Sequence, residues 1–293
     1  MGKIKIDGSS LNGQSIAERY EQQVTDVLAT IRKNRIGDII ASSIEGVGRR
    51  KTAAGIDYIE GDHDLTIVPF DAGKAALLGE TNAVTEAEDA SGAAPKGVSE
   101  RLTGESAWYR GRPSNPKTGQ DERYSRMPYP LMGTGKGSNS RIYFSPDKSG
   151  SPGGAFGSQP DEVLLHEMVH ALREMQGKAN AIPTEGSRLR NYDNEEEFLA
   201  VVVTNVYMSG NNKSQLRADH HGHTPLDRSL STSAGFLTDP GNLRLMNIYK
   251  LIWQPAFWML HTVSATFNPF RELTLRLSTP YDAYTEAFDP RNF

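Results

Sequence analysis

The chain has no cysteine in its 293 residues. That absence excludes disulfides, thiolate zinc sites and cysteine nucleophiles together, so any metal must rest on His, Asp or Glu. It does not fix the compartment, because a cysteine-free protein tolerates both reducing and oxidising surroundings. There is no basic excess either. The net charge is −4 and the pI about 6.0, which argues against a nucleic-acid binder. Nor is there an uninterrupted membrane-length apolar run. The most apolar stretch, Leu245 to Val263, is broken by Lys250, Gln254, Pro255 and His261. It reads as a buried helix kinked at the proline rather than a membrane span. The opening residues, MGKIKIDGSS, lack the apolar core and small-residue cleavage site of a classical signal peptide. A soluble protein is expected.

What is present, at 37% apolar residues, suffices for one large core or two modest ones. Lys3 to Ile6 suits a short strand. Apolar residues then recur at helical spacing from Ser15 to Lys33 (Ile16, Tyr20, Val24, Val27, Leu28, Ile31), and a second helix follows over Ile36 to Ser43. The basic cluster Arg49, Arg50, Lys51 reads as a solvated loop. Ile56 to Ile59 and Leu65 to Phe70 read as strands on either side of the turn Gly61 to Asp64, and His63 is taken as a turn residue. Residues 84–139 form a loop-rich insertion dense in Gly, Pro, Ser, Asn and Thr, with a short helix expected over Ala83 to Ala90. Within it, Arg110, Arg112, Lys117, Arg123 and Arg126 alternate with Trp108, Tyr109, Tyr124 and Tyr129. Such interleaving can bind single-stranded nucleic acid. The acidic overall charge favours a loop over a cleft instead.

Ser140 to Pro146 reads as a strand, with Ile142 and Phe144 on one face and Arg141 and Tyr143 on the other. Such a strand just before an active-site helix is expected to be the sheet edge that takes up a substrate backbone. Ser158 and Asp161 form a capping pair for the next helix, Pro160 is tolerated in its first turn, and Gly177 stops it.

That helix carries the central motif, LLHEMVHALREMQG from Leu164 to Gly177. His166 and His170, four residues apart, project from one helix face, where a zinc ion can bridge them. Glu167 is placed to act as general base on a water at the metal. Val163, Leu164, Met168, Val169, Ala171 and Leu172 make the flanks uncharged, as a helix packed into a core requires. The motif predicts a zinc-dependent peptidase with one catalytic Zn²⁺.

A catalytic zinc needs a third protein ligand and keeps its fourth position for water. The second helix, Glu195 to Met208, capped by Asn194, offers Glu195, Glu196 and Glu197, although helix-dipole complementarity alone accounts for acids there. Glu197 is chosen because it lies deepest, directly before Phe198; Glu196 is the alternative ligand. For oxyanion stabilisation, His221, His223 and Tyr207 are candidates. Tyr249, Tyr281 and Tyr284 compete with them, and the sequence does not rank these groups. A purely structural zinc would instead be closed by a fourth donor, with His220, His221 or His223 at hand.

The segments HEMVHAL and EEFLAVVVTN, with Gly135 to Pro146 (GKGSNSRIYFSP), are similar to those of the NleD-like bacterial effector metalloproteases. More distantly, the chain resembles the clostridial neurotoxin light chains, in which HExxHA is followed by a Glu-Glu pair whose second member binds zinc. Aligned on that pair, Glu197 takes the ligand place. The resemblance implies a gluzincin-type effector or toxin, exported by a bacterial secretion system without a classical signal peptide. It would cut a protein in the cytosol of a target cell. A secretion-system carrier or an immunity protein would be a further partner; no nucleic acid and no membrane span are expected. The fold expected over residues 1–293 is α+β, a single zincin-like domain. Its parts are an active-site helix, a small mixed sheet with an edge strand, and a helical C-terminal part with helices near Asn242 to Thr266 and Tyr281 to Phe288. The alternatives are a peptidoglycan-directed zinc hydrolase and a non-enzymatic cargo domain holding a structural zinc.

Overall fold

The computed structural model describes residues 3–47, 52–53, 56–57, 63–70, 83–88, 137–147, 157–179, 192, 194–220 and 224–276. Strands β1 (Ile4–Ile6), β4 (Leu65–Pro69), β6 (Asn139–Phe144) and β5 (Ala83–Glu88) form one mixed sheet in the order β1-β4-β6-β5. The first two pairings are parallel, with Ile4 opposite Leu65 and Leu65 opposite Ser140. β5 pairs antiparallel with β6, with Ala83 opposite Phe144. Alternation along the strands decides the inner face: Leu65, Ile67, Ser140, Ile142 and Phe144 are buried. Strands β2 (Thr52–Ala53) and β3 (Ile56–Asp57) make a separate two-stranded ribbon.

Helix α1 (Gln14–Lys33) buries Tyr20, Val24 and Ile31. Helix α2 (Arg35–Gly46) starts where Asn34 Oδ1 accepts the Ile36 N–H at 2.9 Å. The central helix, α3 (Pro160–Met175), packs on β5 and β6, on α1 and α2, and on α4 (Glu195–Gly210). Proline stands at the first position of α3, and Gly177 past its end adopts φ +63°, the left-handed conformation that suits glycine. Helix α4 is buried nearly all round, from Phe198 through Met208. Its apolar, β-branched run Val201-Val202-Val203 therefore belongs to the core and not to an amphipathic surface. Beyond it come the short α5 (Ser233–Phe236), then α6 (Pro240–Ile252), α7 (Gln254–Leu260) and α8 (Pro269–Arg276). The fold is α+β and zincin-like in build. Among the described residues no helix is long and apolar enough to cross a membrane.

Four expectations need correction. Ala83 to Glu88 is a strand and not a helix, because its ladder with β6 outweighs the weak helical preference of AVTEAE. Among the described residues the sheet edges are accordingly β5 and β1, and β6 is interior. The strands expected on either side of Gly61 to Asp64 are present as β3 and β4, with β3 paired to β2 and β4 to β1 and β6. The α3 cap is Gln159, whose N–H is accepted by Glu162 at 3.2 Å, and not Ser158. The stretch 242–266 is interrupted at Trp253, with Pro255 opening a new helix rather than kinking one. Arg49 to Lys51, Arg110 to Lys136 and Tyr281 to Phe288 lie outside the described residues.

Helices α3 and α4 are joined by a buried ion pair. Arg173 Nε donates to Glu196 Oε1 at 2.8 Å and Oε2 at 3.1 Å, and the guanidinium lies 5.2 Å from the Tyr249 ring centre and 5.4 Å from that of Trp253. Arg173 also donates to the Lys178 carbonyl, while Tyr249 Oη donates to the Glu195 carbonyl at 2.6 Å. Arg173→Ala would take the guanidinium charge and both of its hydrogen bonds away from the buried Glu196 carboxylate. A loss of about 3–5 kcal/mol is expected, read as a lower urea midpoint at unchanged slope. A loss below about 1 kcal/mol would show that the pair does not hold the two helices together.

Candidate active site

Helix periodicity places the first two donors. His166 and His170 stand one turn apart on α3, with their Nε2 atoms 3.1 Å from each other and their rings edge to face at 4.8 Å. From α4, Glu197 brings Oε2 to 3.1 Å from His166 Nε2 and 3.2 Å from His170 Nε2. Asn194 fixes the start of α4 by accepting the Glu197 N–H at 2.9 Å. Glu196, next in the chain, turns to Arg173 instead. The two candidate carboxylates thus separate: one faces the histidines, the other the buried arginine.

A fourth group joins them. His220 Nε2 lies 3.2 Å from Glu197 Oε2, and its ring stacks nearly parallel to that of His166 at 5.5 Å. One ligand atom each from His166, Glu197 and His220 lie within 4.8 Å of one another. Donors in a tetrahedron around an ion bound at about 2.0–2.2 Å stand roughly 3.3–3.6 Å apart. The spacings here, 3.1 to 3.2 Å, are slightly below that range, so a small spreading of the donors would admit such an ion, and an imidazole and carboxylate donor set suits a divalent transition ion.

The electrostatics agree. Burial holds His166 neutral, with its pKa near 3. Burial also opposes charge on His170, but the Glu197 carboxylate and its hydrogen bond outweigh that and raise the pKa to about 10. For Glu197, burial is overcome by the His170 charge and by hydrogen bonds from both histidines, which keep it well below the usual carboxylate range. One proton on His170 partly neutralises a pocket of bases that a cation would neutralise fully.

Glu167 faces the same cleft, which also takes in Ala83, Val84 and Thr85 of the edge strand, Glu174, Asn194 and His220. Burial raises its pKa, against the pull of His170 and of the Thr85 hydrogen bond. Thr85 Oγ1 donates to Glu167 Oε2 at 2.6 Å. This contact has no sequence signature, since it depends on β5 being a strand laid against α3. Of the groups considered for an oxyanion, Tyr207 is fully buried with its hydroxyl donating to Asp161 Oδ2 at 2.6 Å, and Tyr249 is bound to the Glu195 carbonyl. His221, His223, Tyr281 and Tyr284 lie outside the described residues.

A family match agrees with this geometry. The M91 peptidase family, described as effector protein, matches residues 8–236. The chain belongs to that family. No curated protein and no solved structure matches it. The matched span includes β4, β5, β6, α3, α4 and His220, so a peptidase of the effector class is assigned to the part of the chain that carries the cleft. Membership also points to a protein substrate and to action in a host cell after export.

A further acid lines the cleft, Glu174. Burial pushes Glu174 up to about 8, against the hydrogen bond that Ser140 Oγ donates to its Oε2 at 2.6 Å. A carboxyl raised above its ordinary value near 4.5 contributes stability that is full below about 4.5 and is lost as pH rises through about 8. Glu174→Gln removes that dependence. The variant is expected to gain roughly 1–3 kcal/mol over wild type at pH 9 relative to pH 5, measured by denaturant unfolding at both values. A pH-independent difference between the two proteins would refute the assignment.

Proposed function

We propose that the chain is a zinc-dependent endopeptidase, exported as a bacterial effector, that cleaves a protein in the cytosol of the target cell. The observation that carries this reading is the meeting of Glu197 Oε2 with the Nε2 atoms of His166 and His170 at 3.1 and 3.2 Å, beside the Glu167 carboxylate in one cleft. His166, His170 and Glu197 hold the ion. When bound, zinc supplies Lewis acidity, which makes water a usable nucleophile near neutral pH and polarises the scissile carbonyl.

The remaining steps belong to the protein. Glu167, with its pKa raised by burial, takes a proton from the attacking water and passes it to the leaving nitrogen. Thr85 keeps the Glu167 carboxylate turned into the cleft. The free side of β5 receives the substrate backbone as an added strand, with Ala83 to Thr85 running along the cleft wall. A secretion carrier or an immunity protein would bind elsewhere on the chain. The family's effector description favours a target-cell protein over peptidoglycan as substrate.

Glu167→Gln is expected to lower peptide cleavage by about 10²–10⁴-fold while the purified protein still carries one equivalent of zinc. His170→Ala, by contrast, is expected to lose the zinc. Protein N-termini that appear in target-cell lysate with wild type and not with Glu167→Gln would name the substrate. Full activity in the Glu167 variant would refute this mechanism.

A further inference from the structure

His220 is not needed to complete a catalytic centre of three protein ligands, yet it is built into this one. We propose that His220 is a fourth protein donor to the metal, held in place by Arg217, so that the centre rests closed and opens when His220 withdraws. The inference builds on the metallopeptidase reading above.

The first support is position. His220 Nε2 is as far from Glu197 Oε2 as His170 Nε2 is, 3.2 Å in each case, and it shares the small volume bounded by His166 and Glu197. A histidine that only lined the cleft would have no reason to converge on the oxygen facing both other imidazoles.

The second support is the structure that presents it. His220 ends a turn built on the returning chain: Leu226 N–H donates to the Leu216 carbonyl at 2.7 Å, and Ala218 N–H to the Thr224 carbonyl at 2.8 Å. Asp219 closes the turn by accepting from Thr224 Oγ1 at 2.6 Å. Inside it lies Arg217, a buried guanidinium with Nε donating to the Asp219 carbonyl at 2.6 Å and Nη2 donating to the His220 carbonyl. The backbone of Arg217 is bound in both directions to the Asn205 side chain of α4, each bond 2.8 Å. Gly157, at φ +76°, leaves the space this arginine fills: a Cβ there would come within 2.8 Å of Arg217 Cδ. A buried cation that spends its donors on two successive carbonyls fixes the backbone of His220. It ties that backbone to α4, the helix that carries Glu197.

The donors are not equally fixed. His166, His170 and Glu197 sit on helices packed into the core, whereas His220 lies outside any helix or strand. A donor outside a packed helix opens locally at lower cost, so His220 is the donor that withdraws. Structural zinc sites are closed by protein and catalytic ones keep a position open. A closed centre with one donor on a turn can pass between these two conditions without losing its ion. Substrate entering along β5 meets His220 on the lining of the same cleft.

The test uses cobalt(II) as the probe on the full chain stripped of metal. His220→Ala is expected to weaken cobalt binding on the order of 100-fold and to change its visible absorption. His220→Cys gives the chain its only thiol. It is expected to show a thiolate-to-cobalt charge-transfer band in the near ultraviolet, which arises only if the side chain at this position binds the metal. This variant also serves if the alanine variant does not fold. Adding Arg217→Lys to His220→Cys removes the two-carbonyl grip and is expected to weaken that band, an effect that a merely structural arginine would not have. Wild-type affinity and spectrum in His220→Ala, with no charge-transfer band in His220→Cys, would overturn the proposal. That pattern would leave His220 as a hydrogen-bond donor beside the ion. Loss of binding in His170→Ala under the same conditions keeps the metallopeptidase reading intact. Only a wild-type protein that binds no cobalt would remove both.

Discussion

The site depends on how α3 and α4 are fixed against each other, and the buried Arg173–Glu196 pair is the contact that fixes them. Successive residues on a helix point about 100° apart, so Glu196 and Glu197 cannot both face the same group. With Glu196 engaged by Arg173, which is itself enclosed by Tyr249 and Trp253, α4 has one rotational setting. That setting turns Glu197 into the two histidines of α3. The ion pair is therefore a positional device. Its net contribution to stability is smaller than the damage from removing one partner, as is usual for buried pairs.

The centre it positions is electrostatically unfavourable by itself. Three imidazoles and an ionised carboxylate share a space sealed from water on most sides, and one proton on His170 offsets only part of the mutual repulsion of their lone pairs. Such an arrangement survives folding because the surrounding helices are apolar enough to enforce it: Leu164, Leu165, Met168, Val169, Phe198 and Val201 are fully buried. The same sealing keeps Glu167 protonated to higher pH than a surface glutamate. Packing distributed over the core thus holds together a set of bases whose donor atoms could share a metal ion.

How much of this the sequence reveals follows from the range of each interaction. The pair His166 and His170, the Glu167 between them and the stop at Gly177 are features of one helix, so spacing alone exposes them. The preference for Glu197 over Glu196 is legible only as depth in a helix; its physical reason, Arg173, lies 23 residues away across a helix interface. Thr85 could not be found at all. The AVTEAE segment carries no strand alternation strong enough to identify it, and its strand form comes from register with β6, more than 50 residues later. His220 stood out only as one of several histidines in a polar stretch. What selects it is Arg217, whose role is visible only once its guanidinium is seen inside the turn.

Thr85 also joins substrate binding to the chemistry. It belongs to a strand that is at the sheet edge among the described residues, where an extended peptide would find hydrogen-bonding partners, and its hydroxyl holds the carboxylate proposed as the base. Through Thr85, β5 is one hydrogen bond away from the Glu167 carboxylate. In the mechanism proposed above, a peptide paired with β5 would be placed in fixed relation to Glu167, while His166, His170 and Glu197 stay where the core holds them. Positioning of substrate and activation of water then rest on the same contact between a strand and a helix, and that contact is one that a loop in place of β5 could not make.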